Sequence, residues 1–484
     1  MVLFRKKLLG SAIVMAMAGG VLPAIADDME STHDMSAMQD MMSNSFFSDG
    51  KVTLGFKNYY RNTTDKNDKK DRSREFNNKD QHAWTQAFMA DAKSGWFMNW
   101  VGADLSFYYN QKLDNSYLQK NKDNTKAKKN AAKRIAELLP VDRKNKANSY
   151  GKVGYSVRVN LMDCGVLKYG RMMYDTPLFS SVDEYATPSL DEGFYGDVNW
   201  KGLKVYAGHV TKHNIPATSG FLKLAVEENG KLKNRSLQLY GAEYTVDQLA
   251  GDDKLTLRTQ QTYQRDFEKN SYIDAAYKLP SMNMSMGEFT VAAQFGNSKE
   301  VGINKDATKK INNKTSLDWG GAKVMWQMDK VSAGLSYTNI SGKADQYDPK
   351  ASATMYVSKG NKLALISNDF IGYTAGTVND FSAPGTHSAR VGVGYDCSDF
   401  VQGLALKAGY TFGSVDYKGE KNHRASEMDF SVHYDLPFVK NLSAVLKHGH
   451  YKERYHANDV NNNKIKANKR NKDTRIMLNY TMPL

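Results

Sequence analysis

Apolar and polar residues alternate along most of this chain. In the segment RIMLNYTMPL at 475–484, the apolar side chains Ile476, Leu478, Tyr480 and Met482 occupy every second position. Successive side chains of a β-strand point to opposite faces, so a period of two predicts a strand with one apolar and one polar face. Segments of this kind recur from about residue 51 onwards, and they predict an all-β fold.

The alternation predicts eighteen strands in all. The predicted strands cover residues 52–62, 81–94, 98–113, 149–162, 165–172, 192–199, 203–212, 236–247, 253–265, 270–279, 286–298, 315–328, 330–342, 386–396, 403–416, 425–437, 441–457 and 470–483. A nineteenth candidate, 361–370, would give an odd count, whereas single-chain bacterial barrels have an even number of strands. We therefore assign 361–370 to a loop.

The connections between these strands alternate between long and short. The long, charged connections at 61–81, 114–148 and 173–191 are separated by short turns near 93–95, 162–165 and 199–203. No later apolar run is long enough for a transmembrane helix, and a closed barrel is the other structure that satisfies every backbone polar group in lipid. Outer-membrane barrels have long extracellular loops and short periplasmic turns. We predict a transmembrane antiparallel β-barrel of eighteen strands over residues 51–484, with its last strand paired to its first.

The N-terminal residues predict export from the cytoplasm. Three basic residues at 5–7 precede an apolar run at 8–21, and the Ala-Ile-Ala sequence at 24–26 fits a signal-peptide cleavage site. We predict a signal peptide at 1–26, a Met-rich periplasmic leader at 27–50, and localisation in the bacterial outer membrane.

The 484-residue chain has a net charge of +14 and a mean hydropathy of −0.60. Low hydropathy is compatible with a barrel, because the apolar residues occupy alternate positions only. The lysine-rich run 118–148 looks like a nucleic-acid-binding patch in isolation, but on an extracellular loop it would meet the phosphates of lipopolysaccharide. We expect small solutes, outer-membrane lipid and lipopolysaccharide as partners, with no nucleic acid, no metal and no cofactor.

The parity of the strands places charged residues inside the barrel. Lys57 and Arg61 share the face opposite Leu54 and Phe56, and Arg158 lies between two valines. Barrels of about 16–18 strands are wide enough to leave an aqueous channel, which suits a charged lumen. The architecture alone therefore indicates a pore.

Seven segments resemble the OprD family of outer-membrane porins, and they occur in the family's order. They are VTLGFKNYYRN, HAWTQAFMADAKSGW, LLPV, VLKYGRM, GLKVYAGHVT, NDFSAPGTHS and the terminal strand. The family also contains chitoporin-like members. The resemblance implies a monomeric eighteen-stranded barrel with a narrow, substrate-selective pore for carboxylates, amino acids or peptides. It also implies a third extracellular loop folded inward as a constriction, and a ladder of basic side chains along the wall.

The candidate ladder combines strand parity with this resemblance. Its residues are Lys57, Arg61, Arg158, Arg390, Lys407, Lys447 and Arg475. Lys447 and Arg475 match the family's ladder in place, whereas Val445 stands where the family usually has another arginine. Lysine lacks the planar fork with which arginine holds a carboxylate at two points. The alternative is that these are ordinary solvated charges of an aqueous lumen.

The third loop, 173–191, is the candidate constriction. Its candidate residues are Asp175, Phe179, Asp183, Glu184, Tyr185 and Asp191. Family members often have a basic residue near the centre of this loop, whereas an acidic loop opposite a basic wall would set a transverse field that favours dipolar solutes. The alternative is an external loop that binds divalent ions bridging lipopolysaccharide. Asp380, at the base of the seventh loop (343–385), is either a substrate contact or the cap of a turn before Pro384.

Three functions are compatible with these features. The first is a porin for selective passive diffusion of small polar solutes. The second is a chito-oligosaccharide or other sugar porin, in which Tyr174, Phe179 and Tyr185 would stack on the solute. The third is a barrel-type outer-membrane enzyme, which would need a Ser–His pair on the lipid face, and the sequence shows no strong pair of this kind. We expect the first function, without enzymatic activity.

Overall fold

The protein is described here by a computed structural model. It describes residues 45–67, 79–119, 134–135, 138–140, 148–181, 184–249, 252–280, 287–310, 314–343, 354–359, 362–367, 372–417, 420–458 and 464–484. The predicted signal peptide and most of the predicted leader lie outside these residues. Among the described residues, no helix is long and apolar enough to cross a membrane.

Eighteen long strands form one antiparallel sheet. In chain order they are β1 (Lys51–Asn67), β2 (Lys79–Lys93), β3 (Val101–Gln119), β4 (Ser149–Asn160), β5 (Gly165–Met172), β6 (Asp191–Trp200), β7 (Leu203–Asn214), β8 (Leu237–Asp247), β9 (Lys254–Gln264), β10 (Glu268–Lys278), β11 (Glu288–Glu300), β12 (Ser316–Met328), β13 (Val331–Ile340), β14 (Thr386–Asp396), β15 (Leu404–Tyr417), β16 (Glu420–Asp435), β17 (Leu442–Asn458) and β18 (Lys464–Pro483). A nineteenth segment of the sheet, Phe221–Lys223, is three residues long and pairs with β7.

The sheet closes on itself. Each long strand pairs with its neighbours in sequence, and β1 pairs with β18 from Thr53 opposite Pro483 to Asn67 opposite Lys469. A closed sheet has no open edge, so the backbone groups of the wall find partners even in lipid. The prediction of an eighteen-stranded transmembrane barrel is therefore confirmed.

The two faces of the wall differ in character, as the alternation predicts. On β18, Ile476 and Leu478 are 50% and 43% exposed, whereas Arg475 on the opposite face is 7% exposed. On β14, the exposed Val391 and Val393 alternate with residues of the opposite face in the same way. The exposed apolar face meets lipid, and the polar face lines the lumen.

The strands extend further at the long-loop end than the alternation predicts. β1 continues to Asn67 instead of residue 62, and β18 begins at Lys464 instead of residue 470. The β1 extension is polar on both faces, so the hydrophobic period ends there while backbone pairing continues. The connection between β9 and β10 is only 265–267, so the expected strict alternation of long and short connections is wrong at this point.

The loops contain short elements outside the barrel. These are the helices α1 (Ser45–Ser48) and α2 (Gly302–Lys310), and the hairpins Arg134–Ile135 with Leu139–Pro140, Asp175–Thr176 with Phe179–Ser180, Ala225–Glu228 with Lys231–Asn234, and Thr354–Lys359 with Lys362–Ser367. The last hairpin contains most of the 361–370 candidate, which is therefore not a barrel strand. Helix α1, within the predicted leader, docks on the short turn after β2, where the Gly95 amide donates to the Phe46 carbonyl at 2.8 Å.

The lipid face can be tested by placing a charge on it. We expect Ile476→Arg to lower the free energy of unfolding by about 2–4 kcal/mol, because Ile476 faces lipid near the middle of β18. The matched control is Thr481→Arg on the lumen face of the same strand, which should be nearly neutral. Urea unfolding in phospholipid vesicles, followed by tryptophan fluorescence, measures both. Equal losses for the two variants would contradict the assignment of the faces.

Candidate pore constriction

The third loop, between β5 and β6, crosses the lumen. At one end, Leu178 packs in a buried cluster with side chains of β10, β12 and β13, including Tyr272 and Trp319. At the other end, Ala186 packs with Tyr59 and Ala83 of β1 and β2. In an eighteen-stranded ring, β12 and β1 lie seven strands apart and therefore on nearly opposite walls. The loop thus spans the channel instead of lying outside it.

Buried residues hold the two ends of this loop. Tyr174 and Phe179 are 2% and 1% exposed, and they pack in one cluster with apolar side chains of β7, β8 and the fourth and seventh loops. The Ser181 hydroxyl donates to Asp191 Oδ2 at 2.9 Å, and His213 Nδ1 lies 2.8 Å from the other carboxylate oxygen. These contacts fix the path of the loop, and they leave its middle to face the opposite wall.

The middle of the loop meets basic residues of the wall. Glu184 Oε2 accepts a hydrogen bond from Arg475 Nη1 at 2.7 Å, and Glu184 Oε1 lies 3.8 Å from Lys447 Nζ. The Tyr59 hydroxyl donates to the Glu184 carbonyl, and Lys57 Nζ donates to the Tyr185 carbonyl, both at 3.1 Å. The loop is therefore held to the wall through its backbone as well as through the Glu184 carboxylate.

The pKa of the Glu184 carboxyl lies below its ordinary value of 4.5. Burial favours the protonated form, but it is outweighed by the Arg475 guanidinium, with smaller contributions from Lys447 and Arg61. The contact between loop and wall is consequently an ion pair at neutral pH.

Arg475 is the centre of this arrangement. Its guanidinium donates to Asp473 Oδ2 on its own strand, from Nη2 at 2.9 Å and from Nε at 3.0 Å. The same Asp473 oxygen accepts from Arg61 Nη2 at 2.7 Å. Arg475 Nη2 also donates to the Thr377 carbonyl of the seventh loop at 3.0 Å. One buried side chain therefore joins β1, β18, the third loop and the seventh loop.

The seventh loop is held by two carboxylates of β16. The amides of Val378 and Asn379 donate to Glu427 at 2.7 and 2.9 Å, and the Thr377 amide donates to Asp429 at 3.0 Å. The loop passes close to Gly449 of β17, where a Cβ atom would come within 2.7 Å of Val378 Cγ2. A glycine at this position is thus what allows the seventh loop to lie against the wall.

Four basic residues and one serine, on five neighbouring strands, stand directly opposite one another on the lumen face. Across β15, β16, β17, β18 and β1 they form the row Lys407, Ser431, Lys447, Arg475 and Arg61, which we call the basic row. Strands lie about 4.8 Å apart and tilt by about 40°, so four steps of the row climb roughly 12 Å along the pore axis. The row is therefore an inclined line of positive charges on the wall, and it leads to the constriction.

A chamber of about 480 Å³ adjoins the row. Its lining includes four cations, Lys323, Arg390, Lys407 and Lys447, and the carboxylate of Asp429. Arg390 Nη1 donates to Asp429 Oδ2 at 2.6 Å, whereas Lys323 Nζ lies 4.6 Å from the centroid of the Tyr373 ring. Only one of the four cations is thus held by a carboxylate of the lining.

One residue of the predicted ladder, Arg158, lies away from the constriction. Arg158 is 3% exposed near the short turns, where it pairs with Asp104 at 2.8 Å, donates to the Ser94 carbonyl at 2.7 Å and covers the Trp96 ring. Its position therefore indicates a structural role.

The predicted residues of the third and seventh loops differ in their exposure and in their contacts. Phe179 and Asp191 are buried anchors, and Asp175 is exposed. Asp183 lies outside the described residues. Asp380 is half-buried in the seventh loop beside Asn379 and Phe381, and its contact with a substrate stays a prediction. Glu184 and Tyr185 are the described members of this group that contact the basic wall.

Sequence reasoning missed Lys323, Asp473, Glu427 and Asp429. Parity places Asp473 on the same face as Arg475, and it places Lys323 on the lumen face of β12. The alternation of the sequence could therefore have predicted that both side chains face the lumen. The three carboxylates were missed because the ladder was predicted from positive charges alone.

The chain matches a known family over the whole described region. The match is to the OprD family of outer membrane porins and covers residues 44–484. The chain belongs to this family. The porin is therefore an outer-membrane β-barrel channel for passive diffusion, and the enzyme alternative is excluded.

Solved structures share the fold of this porin. OccK9 (OpdG) of Pseudomonas aeruginosa is 20% identical, with a TM-score of 0.69 over 91% of this chain and 100% of that chain. OccAB3 of Acinetobacter baumannii is 18% identical, with a TM-score of 0.67 over 90% and 100%. OpdK of Pseudomonas aeruginosa, solved with vanillate, is 19% identical, with a TM-score of 0.64 over 90% and 99%. No curated protein sequence matches the chain.

The Glu184 carboxylate can be removed without removing the backbone contacts of the loop. We expect Glu184→Gln to raise the anion-to-cation permeability ratio severalfold, because one charge fewer changes the potential in a narrow passage by roughly one kT or more. The control is Asp175→Asn, an exposed carboxylate of the same loop, which should change the ratio little. Reversal potentials of single channels under a salt gradient measure both. An unchanged ratio in Glu184→Gln would show that Glu184 does not face the solute path.

Acid should reproduce the effect of that substitution. The lowered pKa means that the Glu184 ion pair is fully present above pH 4.5 and is lost as the pH falls through the lowered value. We expect the anion preference of the unmodified porin to rise below pH 4.5, and the rise to be smaller in Glu184→Gln. Equal rises in the two proteins would assign the titration to other carboxylates.

Proposed function

We propose that this porin admits small polar solutes that carry a carboxylate, such as organic acids, amino acids and short peptides. The basic row is the observation that carries the proposal. Positive charges along a low-dielectric wall raise the local concentration of anions, and a series of weak sites lets a solute leave as well as enter. The constriction between the third and seventh loops limits the size of the solute.

The charge balance of the constriction supports a carboxylate-bearing solute. Four basic residues and two carboxylates lie where the third loop meets the wall, namely Lys57, Arg61, Lys447, Arg475, Glu184 and Asp473. The excess of two positive charges (4 − 2) favours anions. Glu184 also offers a negative site beside Lys447, so a solute with an amino group and a carboxylate can contact both. The vanillate in the OpdK structure is a carboxylate, which agrees with this class of solute.

A sugar-selective pore is the weaker alternative. Stacking on a sugar ring needs an accessible aromatic face, but Tyr174 and Phe179 are 2% and 1% exposed. Tyr185 is half-buried, and it contacts Lys57 through its carbonyl oxygen. Two of the three aromatic residues proposed for stacking therefore pack inside the protein.

We also propose that the porin works as a monomer in contact with lipopolysaccharide. The support is that one chain encloses a complete lumen, with the third and seventh loops supplied by the same chain. Passage of a solute then needs no residue from a second subunit.

Charge removal from the basic row tests the proposal. In proteoliposomes, the unmodified porin should admit a small carboxylate and a dipeptide faster than a neutral disaccharide of chitin. We expect Lys407→Gln with Lys447→Gln to slow the carboxylate by up to about tenfold, because the local attraction is lost, and to leave the neutral sugar unchanged. Swelling rates of the proteoliposomes measure these fluxes.

The matched control removes two charges from the outer face of β17, the strand that carries Lys447. Lys452→Gln with Arg454→Gln should leave all three rates unchanged, because both side chains lie outside the lumen. Faster entry of the chitin disaccharide than of the carboxylate would favour the sugar alternative. Equal loss of all solutes in the double lysine variant would indicate a general narrowing of the pore instead of electrostatic guidance.

A further inference from the structure

Six cations form a patch on the outer face of the wall, away from the pore. They are Lys66, Arg424, Lys452, Arg454, Arg470 and Lys472, on the neighbouring strands β16, β17, β18 and β1. All six are exposed, and on β16 and β17 they alternate with buried lumen residues such as Glu427 and Tyr451. We call this group the outer basic patch.

Like charges in this patch face each other across the strands. Arg424 lies directly opposite Arg454, and Arg470 lies directly opposite both Lys452 and Lys66. Such pairs destabilise a sheet unless an opposite charge compensates them. Among the described side chains, no carboxylate lies within ion-pair distance of these six, and nearby Asp416 lies 3.7 Å from His387. An anionic ligand would therefore relieve a repulsion that the described side chains do not relieve.

The patch lies at the edge of the membrane. On β16, Tyr434 at the short-turn edge and Arg424 are ten positions apart (434 − 424) on the lipid-facing side. With a rise of about 3.4 Å per residue and a tilt of about 40°, this distance is roughly 26 Å along the membrane normal. The apolar band of such barrels is about 25 Å tall. The cations thus stand at the level of lipid headgroups on the long-loop side, which faces the outside.

A groove of about 580 Å³ connects the cations to the aromatic residues Tyr337, Tyr410 and Phe412 below them, which we call the aromatic belt. Arg424, Lys452 and Arg454 line its upper part, and Tyr337 and Phe412 line its lower part. Arginine and lysine bind phosphate oxygens, and aromatic rings at this depth lie against the region between headgroup and acyl chain. The groove therefore offers both a polar and an apolar part to one amphipathic ligand.

We propose that the outer basic patch binds the phosphorylated headgroup of lipopolysaccharide. The phosphates lie between the opposed cations, and the acyl chains continue down the apolar wall below the aromatic belt. Direct binding by arginine and lysine needs no bridging divalent ion. This mode differs from an acidic loop that holds lipopolysaccharide through such ions.

Lipid binding to the full porin in detergent tests the proposal. The protein is titrated with diphosphorylated lipid A, the membrane part of lipopolysaccharide, in the presence of EDTA, and native mass spectrometry counts the bound lipid. The variant is Arg424→Gln with Lys452→Gln and Arg454→Gln, and the control is Lys201→Gln with Lys440→Gln in the short turns. Each cation near a charged membrane surface contributes roughly fivefold in affinity, so the variant should bind lipid A at least about tenfold more weakly. The control should bind like the unmodified porin.

The outcomes separate the possible ligands. Unchanged lipid A binding in the variant, or equal binding of dephosphorylated lipid A, would overturn the proposal. Displacement of lipid A by millimolar inorganic phosphate would replace the lipid site with a site for free anions, and it would also overturn the proposal. Channel conductance identical to that of the unmodified porin verifies that both variants are folded, because neither set of substitutions touches the pore.

Discussion

The pairing of β1 with β18 is the constraint on which the rest of this structure depends. Lipid offers no partner to an open strand edge, so these two strands must pair along their length. The same register places Arg61 directly opposite Arg475 on the lumen face, a pair that would repel if it stood alone. Asp473 compensates both guanidinium groups through hydrogen bonds of 2.7 to 3.2 Å. The pairing of β1 with β18, which closes the wall, therefore also forms the charged centre of the pore.

The arginines and lysines of the basic row have different tasks. The Arg475 side chain is 9% exposed, and its guanidinium draws partners from its own strand, the third loop and the seventh loop, as a buried charge requires. The Lys447 side chain is 38% exposed, and Lys407 is exposed in the adjoining chamber. Arginine, with its fixed fork of donors, joins the parts of the constriction, and lysine presents charge to the passing solute. The positive bias of the passage therefore depends mainly on the lysines.

A period of two was enough to predict the strand count, the closure and the two faces of the wall. It also placed Lys407, Lys447, Arg475 and Arg61 in the lumen, because parity alone decides which face a side chain takes. It did not show that these four share one row, since register between strands is set by turns and bulges that have no period. The partners of Glu184 could not be predicted for the same reason, because a loop has no repeating pattern. Arg158 was misjudged because parity gives the face of a residue without its height along the pore.

The most direct test of the whole account is the reversal potential of the unmodified porin in a planar bilayer under a potassium chloride gradient. The basic row and the excess of positive charge at the constriction predict selectivity for chloride at about 0.1 M salt. The preference should weaken towards 1 M, because the screening length falls from about 10 Å to about 3 Å. Selectivity for potassium at low salt would contradict the account, since it would mean that the carboxylates of the constriction, and not the basic row, control the passage.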